Sequence, residues 1–379
     1  MIFDYETFKL IWLLFIGVLF IGFAVSGGFD LGVGALLLIL GKTDEERRLI
    51  LNSIGPTWEG NQVWFITAAG AIFAAWPILY SLAFSSFYLV FLLILLALIL
   101  RPPGLDFRSK LAMPAWRSTW DIAVFLSGMI PAFLFGVMFG NLLSGISFSF
   151  DDSLVSHTSS SFFSFLSPYA LLCGIVTASA LLLQGSLFLQ LKTNPPLTER
   201  ARHSASWCGI VFSLSFSSVW VWTFFYQEGF QIQTLLDPNQ ALSPLSKTVI
   251  KGPGFWANNY HLYPIGFLAP ILSILWAILA LVFSTKRRPG FALFCNSLAL
   301  ASIIITLGFT LYPFILPSTS FPNHSLTIWD AASSHLTLSW MFWLTLIFLP
   351  IVLLYTTWAY RVMRGKVDRE VTLKNKGAY

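Results

Sequence analysis

The sequence predicts an all-α polytopic membrane protein with nine transmembrane helices. Charged residues make up only 10% of the chain, and its mean hydropathy is +0.75. Apolar runs of about 20 residues recur to the C-terminus, and a run of that length crosses the ~30 Å hydrocarbon core as a helix. No long polar segment suggests a soluble domain, so residues 1–379 are predicted to form a single integral membrane domain.

The apolar runs place the nine helices along the chain. They lie near residues 10–40, 55–76, 78–100, 121–143, 164–190, 207–226, 262–283, 291–312 and 336–360. The second run is the least apolar, because it contains Glu59, Asn61 and Gln62. Helices in this number are expected to form two four-helix bundles plus one peripheral helix.

The basic residues support the second helix and predict the orientation. With nine helices, 19 of the 22 Lys and Arg residues fall on one side, and only Lys9, Lys247 and Lys251 fall on the other. Without the second helix, the basic cluster at 42–48 would lie on the wrong side. Because cytoplasmic loops are rich in Lys and Arg, the N-terminus is predicted to be periplasmic and the C-terminus cytoplasmic. Topology also explains the net charge of +5, so no nucleic-acid partner is expected.

Histidine and cysteine positions argue against a metal or haem site within this chain. Axial haem ligation needs His, Met, Cys or Tyr facing a buried pocket. No His lies in the middle of a predicted helix, and no Met is paired with one. The cysteines form no CxxC and are interpreted as small buried hydrophobes. The residues concerned are His157, His203, His261, His324, His335, Cys173, Cys208 and Cys295.

Acidic residues inside the membrane are costly to bury and are functional candidates by default. Asp30 interrupts the first apolar run, ~30 Å below its outer start at 1.5 Å per residue. Glu59 lies at the entry of the second helix, at the same cytoplasmic depth. No basic residue lies near either acid in sequence at that depth. For both residues, neutralisation or a proton path is therefore favoured over a structural role.

Two further acids lie on the same side, and for these a structural role is favoured. Asp121 opens the fourth helix and could cap it. Asp106 lies in the basic loop between the third and fourth helices and could pair with Arg108 or Lys110.

Small and aromatic residues surround the two favoured acids. Gly28 and Gly32 form a GxxxG around Asp30, which predicts that a neighbouring helix or a ligand approaches the backbone. Trp58 and Trp64 flank Glu59 and Gln62 and are candidates for lining a polar path. Asn61 and Gln62 are expected to hold water beside Glu59.

Five stretches carry a resemblance to a known family. They are GFAVSGGFDLGVG (22–34), NSIGPTWEGNQVWFITAAGAIFAAWP (52–77), RPPGLDFRSK (101–110), MFGNLL (138–143) and LTIWDAASS (326–334). Together they resemble subunit II of cytochrome bd quinol oxidase, over nearly the whole chain.

The resemblance implies a respiratory oxidase of the bacterial inner membrane, which oxidises quinol and reduces O2 to water with protons from the cytoplasm. It implies that subunit I is the partner and holds the haems, two of b type and one haem d. It also implies a small single-helix accessory subunit and contact with membrane lipid. Subunit II would supply a hydrophilic path from the cytoplasm to the haems, and some members hold a bound quinone.

The resemblance also implies which residues form the path. Glu59 matches the carboxylate of the PxW[D/E]GNQ motif, and its one-carbon-longer side chain replaces the more usual Asp. Gly27 stands where many members have an acid, so a role for that neighbour cannot operate here. The proton-path candidates are Asp30, Trp58, Glu59, Asp106, Lys110 and Tyr379.

Two other functions fit parts of the pattern. Intramembrane carboxylates and Gly-rich helices would suit a proton-coupled secondary transporter, although its broken helices in corresponding halves are missing. A purely structural anchor for a redox partner is the other alternative. It predicts that Glu59 can be neutralised without loss of turnover.

Overall fold

The computed structural model describes residues 3–367, and within that range it confirms the all-α membrane class. Eight helices of the described chain are long and apolar enough to cross a membrane. They are Tyr5–Leu40, Tyr88–Phe107, Pro114–Ser144, Pro168–Lys192, Leu197–Phe225, Pro264–Thr285, Pro289–Leu311 and His335–Val362.

The first half of the chain folds into seven helices. Helix α1 begins after Asp4, whose carboxylate accepts a hydrogen bond from the Thr7 backbone N–H at 3.0 Å. Helix α2 begins with a capping box between Thr43 and Glu46, and the hydropathy pattern did not predict this helix. The bounds are α1 (Tyr5–Leu40), α2 (Asp44–Ile54), α3 (Trp58–Ala75), α4 (Pro77–Ser86), α5 (Tyr88–Ile99), α6 (Arg101–Phe107) and α7 (Pro114–Ser144).

Helix α3 occupies the place of the predicted second span. It is 18 residues long, but the polar side chains in its first two turns make it less apolar than the other long helices. Helices α4 and α5 together occupy the predicted third span, and the chain is not helical at Phe87 between them. The short helix α6 follows α5 directly, and together they form the apolar helical stretch Tyr88–Phe107.

The second half contains six helices. They are α8 (Pro168–Lys192), α9 (Leu197–Phe225), α10 (Asn258–Leu262), α11 (Leu268–Thr285), α12 (Pro289–Leu311) and α13 (His335–Val362). Helices α8, α9, α11 and α12 pack on one another, as do α1, α3, α5 and α7, and α1 and α7 join the two groups through α8. Helix α13 packs mainly on α1 and α3 among the described helices, so it is peripheral.

The basic loops meet at one end of the helices, which we call the basic face. Here Arg47 bonds Asp121 at 2.9 Å, Arg200 pairs with Glu46, and the Lys192 ammonium donates to the Met363 carbonyl at 2.7 Å. These contacts join α2 to α7 and to α9, and the end of α8 to the residue that follows α13.

Three antiparallel hairpins cover the opposite face. Lys247 and Asp330 form a buried ion pair of 2.8 Å between two of them. The Lys9 ammonium of α1 donates to the Pro238 and Trp329 carbonyls at 2.8 and 3.0 Å, which ties the long loop before α10 to the helices. The pairs are β1 (Phe148–Phe150) with β2 (Ser156–Thr158), β3 (Glu228–Ile232) with β4 (Val249–Pro253), and β5 (Phe314–Leu316) with β6 (Leu326–Thr327).

The glycines beside Asp30 allow α1 and α8 to touch through their backbones. A Cβ added to Gly32 would lie 2.0 Å from the Leu181 carbonyl oxygen, and one on Gly185 would lie 2.5 Å from the Gly32 carbonyl carbon. A Cβ on Gly28 would meet the Leu181 side chain at 2.8 Å. The close approach predicted from the GxxxG is confirmed.

Candidate functional site

Asp30 lies at the centre of a buried polar site near the basic face. Its side chain is fully buried, and its Oδ2 accepts a hydrogen bond from the Asn61 Nδ2 at 2.8 Å. The Tyr360 hydroxyl donates to the Oδ1 of the same amide. The second carboxylate oxygen of Asp30 has no protein partner. Helices α1, α3 and α13 therefore converge on one carboxylate.

Arg101 supplies a positive charge to this site. It is the first residue of α6, is 1% exposed, and interacts electrostatically with Asp30. Its Nη2 donates to the Ser127 carbonyl at 3.0 Å, while its Nε has no partner. The sequence interpretation counted Arg101 only as a loop residue. The one signal was its position directly after a long apolar run, where the next turn can carry the side chain back into the membrane.

Glu59 does not share the Asp30 site. It is exposed, whereas Asn61 is buried, and residues two apart on a helix lie roughly 200° apart. Trp58 is buried among apolar side chains that include Phe29. The expectation that Asn61 holds water beside Glu59 was wrong, because the Asn61 amide binds Asp30.

The remaining path candidates are not joined to Asp30. Asp106 and Lys110 are both exposed, and in the described part of the chain Asp106 forms no ion pair with Arg108 or Lys110. That pairing was wrong, because Arg108 turns toward other carboxylates. Tyr379 lies outside the described residues.

Asp121 belongs to an ion-pair network at the basic face. It accepts from Arg108 Nε at 2.5 Å and from Arg47 Nη1 at 2.9 Å. Arg108 also bonds Asp44 at 2.9 Å, and Asp44 pairs with Arg117 at 2.6 Å. The expectation that Asp121 caps its helix was wrong, because α7 begins at Pro114 and Asp121 lies in its interior. The network joins the start of α2 to the α6–α7 connection.

The carboxylate of Glu46 predicts a pH dependence of stability. Burial favours its neutral form, but hydrogen bonds from Arg200 and from the Lys42 and Thr43 N–H groups outweigh burial, so the pKa of Glu46 is held below its ordinary 4.5. Because the pKa is lower in the folded state, this stabilisation is present above about pH 4.5 and is lost as the pH falls toward the folded-state pKa.

The test compares melting temperatures of the parent and Glu46→Gln between about pH 7 and about pH 3. The parent is expected to melt higher at neutral pH, and the difference is expected to shrink below about pH 4.5. A difference that stays constant over this range would contradict the assignment.

An apolar cavity of about 140 Å³ lies between the two helix groups. Its walls include Phe23, Phe135 and Phe216, and they contain no His, Met or Tyr. Cys173 borders the cavity, but its sulfur lies against α7, 3.1 Å from the position of a Cβ on Gly140. These walls do not fit a haem, which needs an axial ligand aimed into the pocket. In the described residues, no group of three or more His, Cys, Asp or Glu could hold a metal ion.

Known proteins are similar in sequence to this chain over almost its entire length. The profile described as cytochrome bd terminal oxidase subunit II matches residues 8–363. The chain is 42% identical over 372 residues to "Cytochrome bd-I ubiquinol oxidase subunit 2" of Escherichia coli, covering 98% of both chains. It is 30% identical over 361 residues to "Cytochrome bd ubiquinol oxidase subunit 2" of Bacillus subtilis, covering 95% of this chain and 97% of the relative.

A solved structure shows the same fold. A chain of the bd oxidase from Geobacillus thermodenitrificans superposes with a TM-score of 0.70 at 14% identity, covering 94% of this chain and 98% of that one. The sequence relatives carry the family assignment, and the superposition supports the arrangement of the helices. The chain therefore belongs to the family of cytochrome bd terminal oxidase subunit II, part of a haem-containing respiratory oxidase complex of the bacterial inner membrane.

Proposed function

We propose that this chain is a subunit without a haem of its own, which carries protons from the cytoplasm to haems b and d of subunit I. The complex would oxidise quinol and reduce O2 to water. Membership of the oxidase family decides against the secondary transporter. The observation that carries the proposal is the fully buried Asp30 carboxylate, held by Asn61 beside the charge of Arg101 near the basic face. Burying a partly unpaired carboxylate in a membrane costs free energy, so a functional role is the default explanation for Asp30.

The proposal includes nine membrane spans, with the basic face in the cytoplasm and the N-terminus in the periplasm. Helix α3 packs along α1 and has the length of a short span. The clustered basic loops are the arrangement that the positive-inside rule requires of cytoplasmic loops.

The uncovered face of α3 is the proposed contact with subunit I. Val63, Ile66 and Phe73 on this face are 44%, 67% and 59% exposed, and Glu59 lies at its basic end. A protein partner would cover Glu59 more favourably than lipid tails would, because it can offer polar groups. The exposed surface of α13 leaves room for further contacts, including the small single-helix subunit.

A quinone is the proposed ligand of the apolar cavity. Its aromatic and aliphatic walls suit an isoprenoid tail, since apolar surface is removed from water without leaving polar groups unpaired. This ligand would have a structural role, because the described titratable groups of the Asp30 site do not line the cavity.

Replacing Glu59 by Gln is expected to slow O2 reduction by about half, most strongly at high pH where proton uptake limits turnover. The amide keeps the shape and hydrogen bonding of the side chain, so haem content and assembly are expected to stay near normal. The measurement is O2 consumption by the purified complex as a function of pH.

Glu59→Asp is the matched control and is expected to turn over at nearly the parent rate, because it keeps the carboxylate. If Glu59→Gln assembles and consumes O2 at the parent rate at every pH, Glu59 does not carry protons. Proton transfer would then depend on the Asp30 site, and the structural-anchor alternative would be favoured only if Asp30→Asn also turned over at the parent rate.

Gly70→Leu is expected to lower the yield of assembled complex about tenfold, the effect of an overpacked interface. A Cβ on Gly70 meets nothing within 4 Å in this chain, so the variant should fold but collide with a partner seated on α3. Gly308→Leu, equally open but on α12, is the control and should assemble normally. The effect is measured as haem d absorption per subunit II in membranes. Equal values for the two variants would contradict the proposed contact of subunit I with this face of α3.

A further inference from the structure

A second cavity opens at the basic face, between the α2–α3 connection and the ends of α8 and α13. It encloses about 280 Å³, enough for several water molecules. Unlike the apolar cavity, it has a mixed polar lining. The polar residues of this lining include Asn52, Ser53, Thr57, Lys192, Tyr360 and Lys366.

Tyr360 connects this polar cavity to the buried carboxylate. Its side chain lines the cavity, and its hydroxyl donates to the Asn61 Oδ1. The Asn61 Nδ2 then donates to Asp30 Oδ2 at 2.8 Å. Because Tyr360 binds the oxygen of the amide, the amide must present its nitrogen to the carboxylate. Tyr360 therefore sets the orientation of Asn61 and, through it, that of Asp30.

Asp30 retains one oxygen for a further partner. Its Oδ1 is buried and has no hydrogen bond within the protein. Buried polar atoms in native proteins are nearly always satisfied by protein or by ordered water. A water molecule that reaches Asp30 from the cavity would satisfy this oxygen.

We propose that cytoplasmic protons reach Asp30 through this cavity, by a route separate from Glu59, with Tyr360 and Asn61 as positioning residues. The inference rests on the proposed function and adds its entrance. Asn61 faces Asp30, while Glu59 is exposed on another side of α3. Protons would therefore reach the two carboxylates from different sides of that helix.

The proton balance of the route is simple. A hydrated proton in the cavity passes to the free Oδ1 of Asp30, which becomes a neutral carboxylic acid, and water remains. Release of that proton toward subunit I restores the carboxylate. Asn61 keeps both amide protons and Tyr360 keeps its hydroxyl proton, since both only hold the carboxylate in position. No electron is transferred in this chain.

The test uses the purified complex with subunit I. A cysteine at Thr57, in the cavity wall, is modified with a bulky neutral methanethiosulfonate reagent to block the cavity. Thr57 makes no side-chain cap to α3, so this substitution should leave the helix intact. The control is Ser118→Cys, exposed at the start of α7, together with the parent treated with the same reagent.

Two measurements are made. The first is proton uptake on addition of O2, followed with a pH indicator. The second is the infrared carboxyl band of Asp30, identified by its loss in Asp30→Asn, and the rate at which transfer to D2O shifts it. Blocking Thr57→Cys is expected to slow the D2O shift about tenfold or more and to slow proton uptake by about half, because the Glu59 route stays open, while blocked Ser118→Cys matches the parent.

Tyr360→Phe is the second variant. It should slow the D2O shift of Asp30 about tenfold, the order expected for one lost hydrogen bond, slow proton uptake by up to about half, and shift the Asp30 carboxyl band in the absence of O2. A structural role for Tyr360 would lower the amount of complex without moving that band.

The outcomes separate this inference from the proposed function. Slow uptake in Asp30→Asn with parent-like values for blocked Thr57→Cys and for Tyr360→Phe would overturn the cavity route and leave the proton-carrying function intact. Parent-like uptake in Asp30→Asn would overturn the cavity route, and parent-like uptake in Glu59→Gln as well would also overturn the proton-carrying function. An unchanged D2O shift in the blocked protein overturns the route whatever the turnover rate is.

Discussion

Arg101→Met is expected to destabilise the subunit by about 3 kcal/mol, because it leaves the buried Asp30 carboxylate without its compensating charge. Arg101 is 1% exposed and interacts electrostatically with Asp30, which is fully buried. Met fills a similar volume without a charge, so the loss would report electrostatics more than packing. Thermal unfolding of the purified complex and the amount of assembled complex in membranes measure the effect.

The double variant Arg101→Met with Asp30→Asn is the control. Removing both charges should restore much of the stability, because no uncompensated charge remains in the membrane. Additive losses from the two single variants would show that the residues are not coupled. The double variant should still take up protons more slowly than the parent, which separates stability from function.

Gly32→Ala is expected to cost about 3 kcal/mol and to prevent normal packing of α1 against α8. The added methyl would lie 2.0 Å from the Leu181 carbonyl oxygen and 3.0 Å from the Gly185 nitrogen, and both are backbone atoms that cannot rotate away. The two helices would have to separate along the contact that joins the two groups. Unfolding in a graded denaturing detergent, followed by haem loss from the complex, measures this effect.

Gly17→Ala is the matched control in the same helix. A Cβ there meets nothing within 4 Å, and alanine favours the helix over glycine, so this variant should be as stable as the parent or slightly more stable. If Gly32→Ala and Gly17→Ala unfold alike, the α1–α8 contact is looser than the backbone distances require.

Local patterns in the sequence were sufficient for the class of the fold. Hydropathy gives the long helices because the bilayer requires apolar runs of fixed length, and the GxxxG at Gly28 and Gly32 gives the close contact of α1. Helix α2 was missed because it is short and lies beside the membrane, where hydropathy carries no signal. The local sequence signal for its start is the capping box that Thr43 forms with Glu46.

The composition of the site could be predicted only in part. Asp30 was found because an acid in an apolar run is conspicuous, but its partners come from distant helices. Arg101 was assigned to a loop, and Tyr360 was passed over as part of the last apolar helix. Grouping Asn61 with Glu59 failed because sequence proximity does not show which side of α3 each residue occupies. Tertiary packing alone decides that Asn61 turns to Asp30.

The Asp30 site also constrains the order in which the subunit can mature. Asp30 is synthesised on the first helix, Asn61 follows it by 31 residues, and Tyr360 follows Asn61 by another 299. During translation α1 must enter the bilayer with a carboxylate that has neither its amide nor its counter-charge, so early insertion is unfavourable until α3 and α6 arrive. The hydroxyl that fixes the amide comes only with the final described helix. A nascent chain that stops before Tyr360 therefore carries an unfinished site, and only chains extended through α13 can offer subunit I a correctly oriented Asp30.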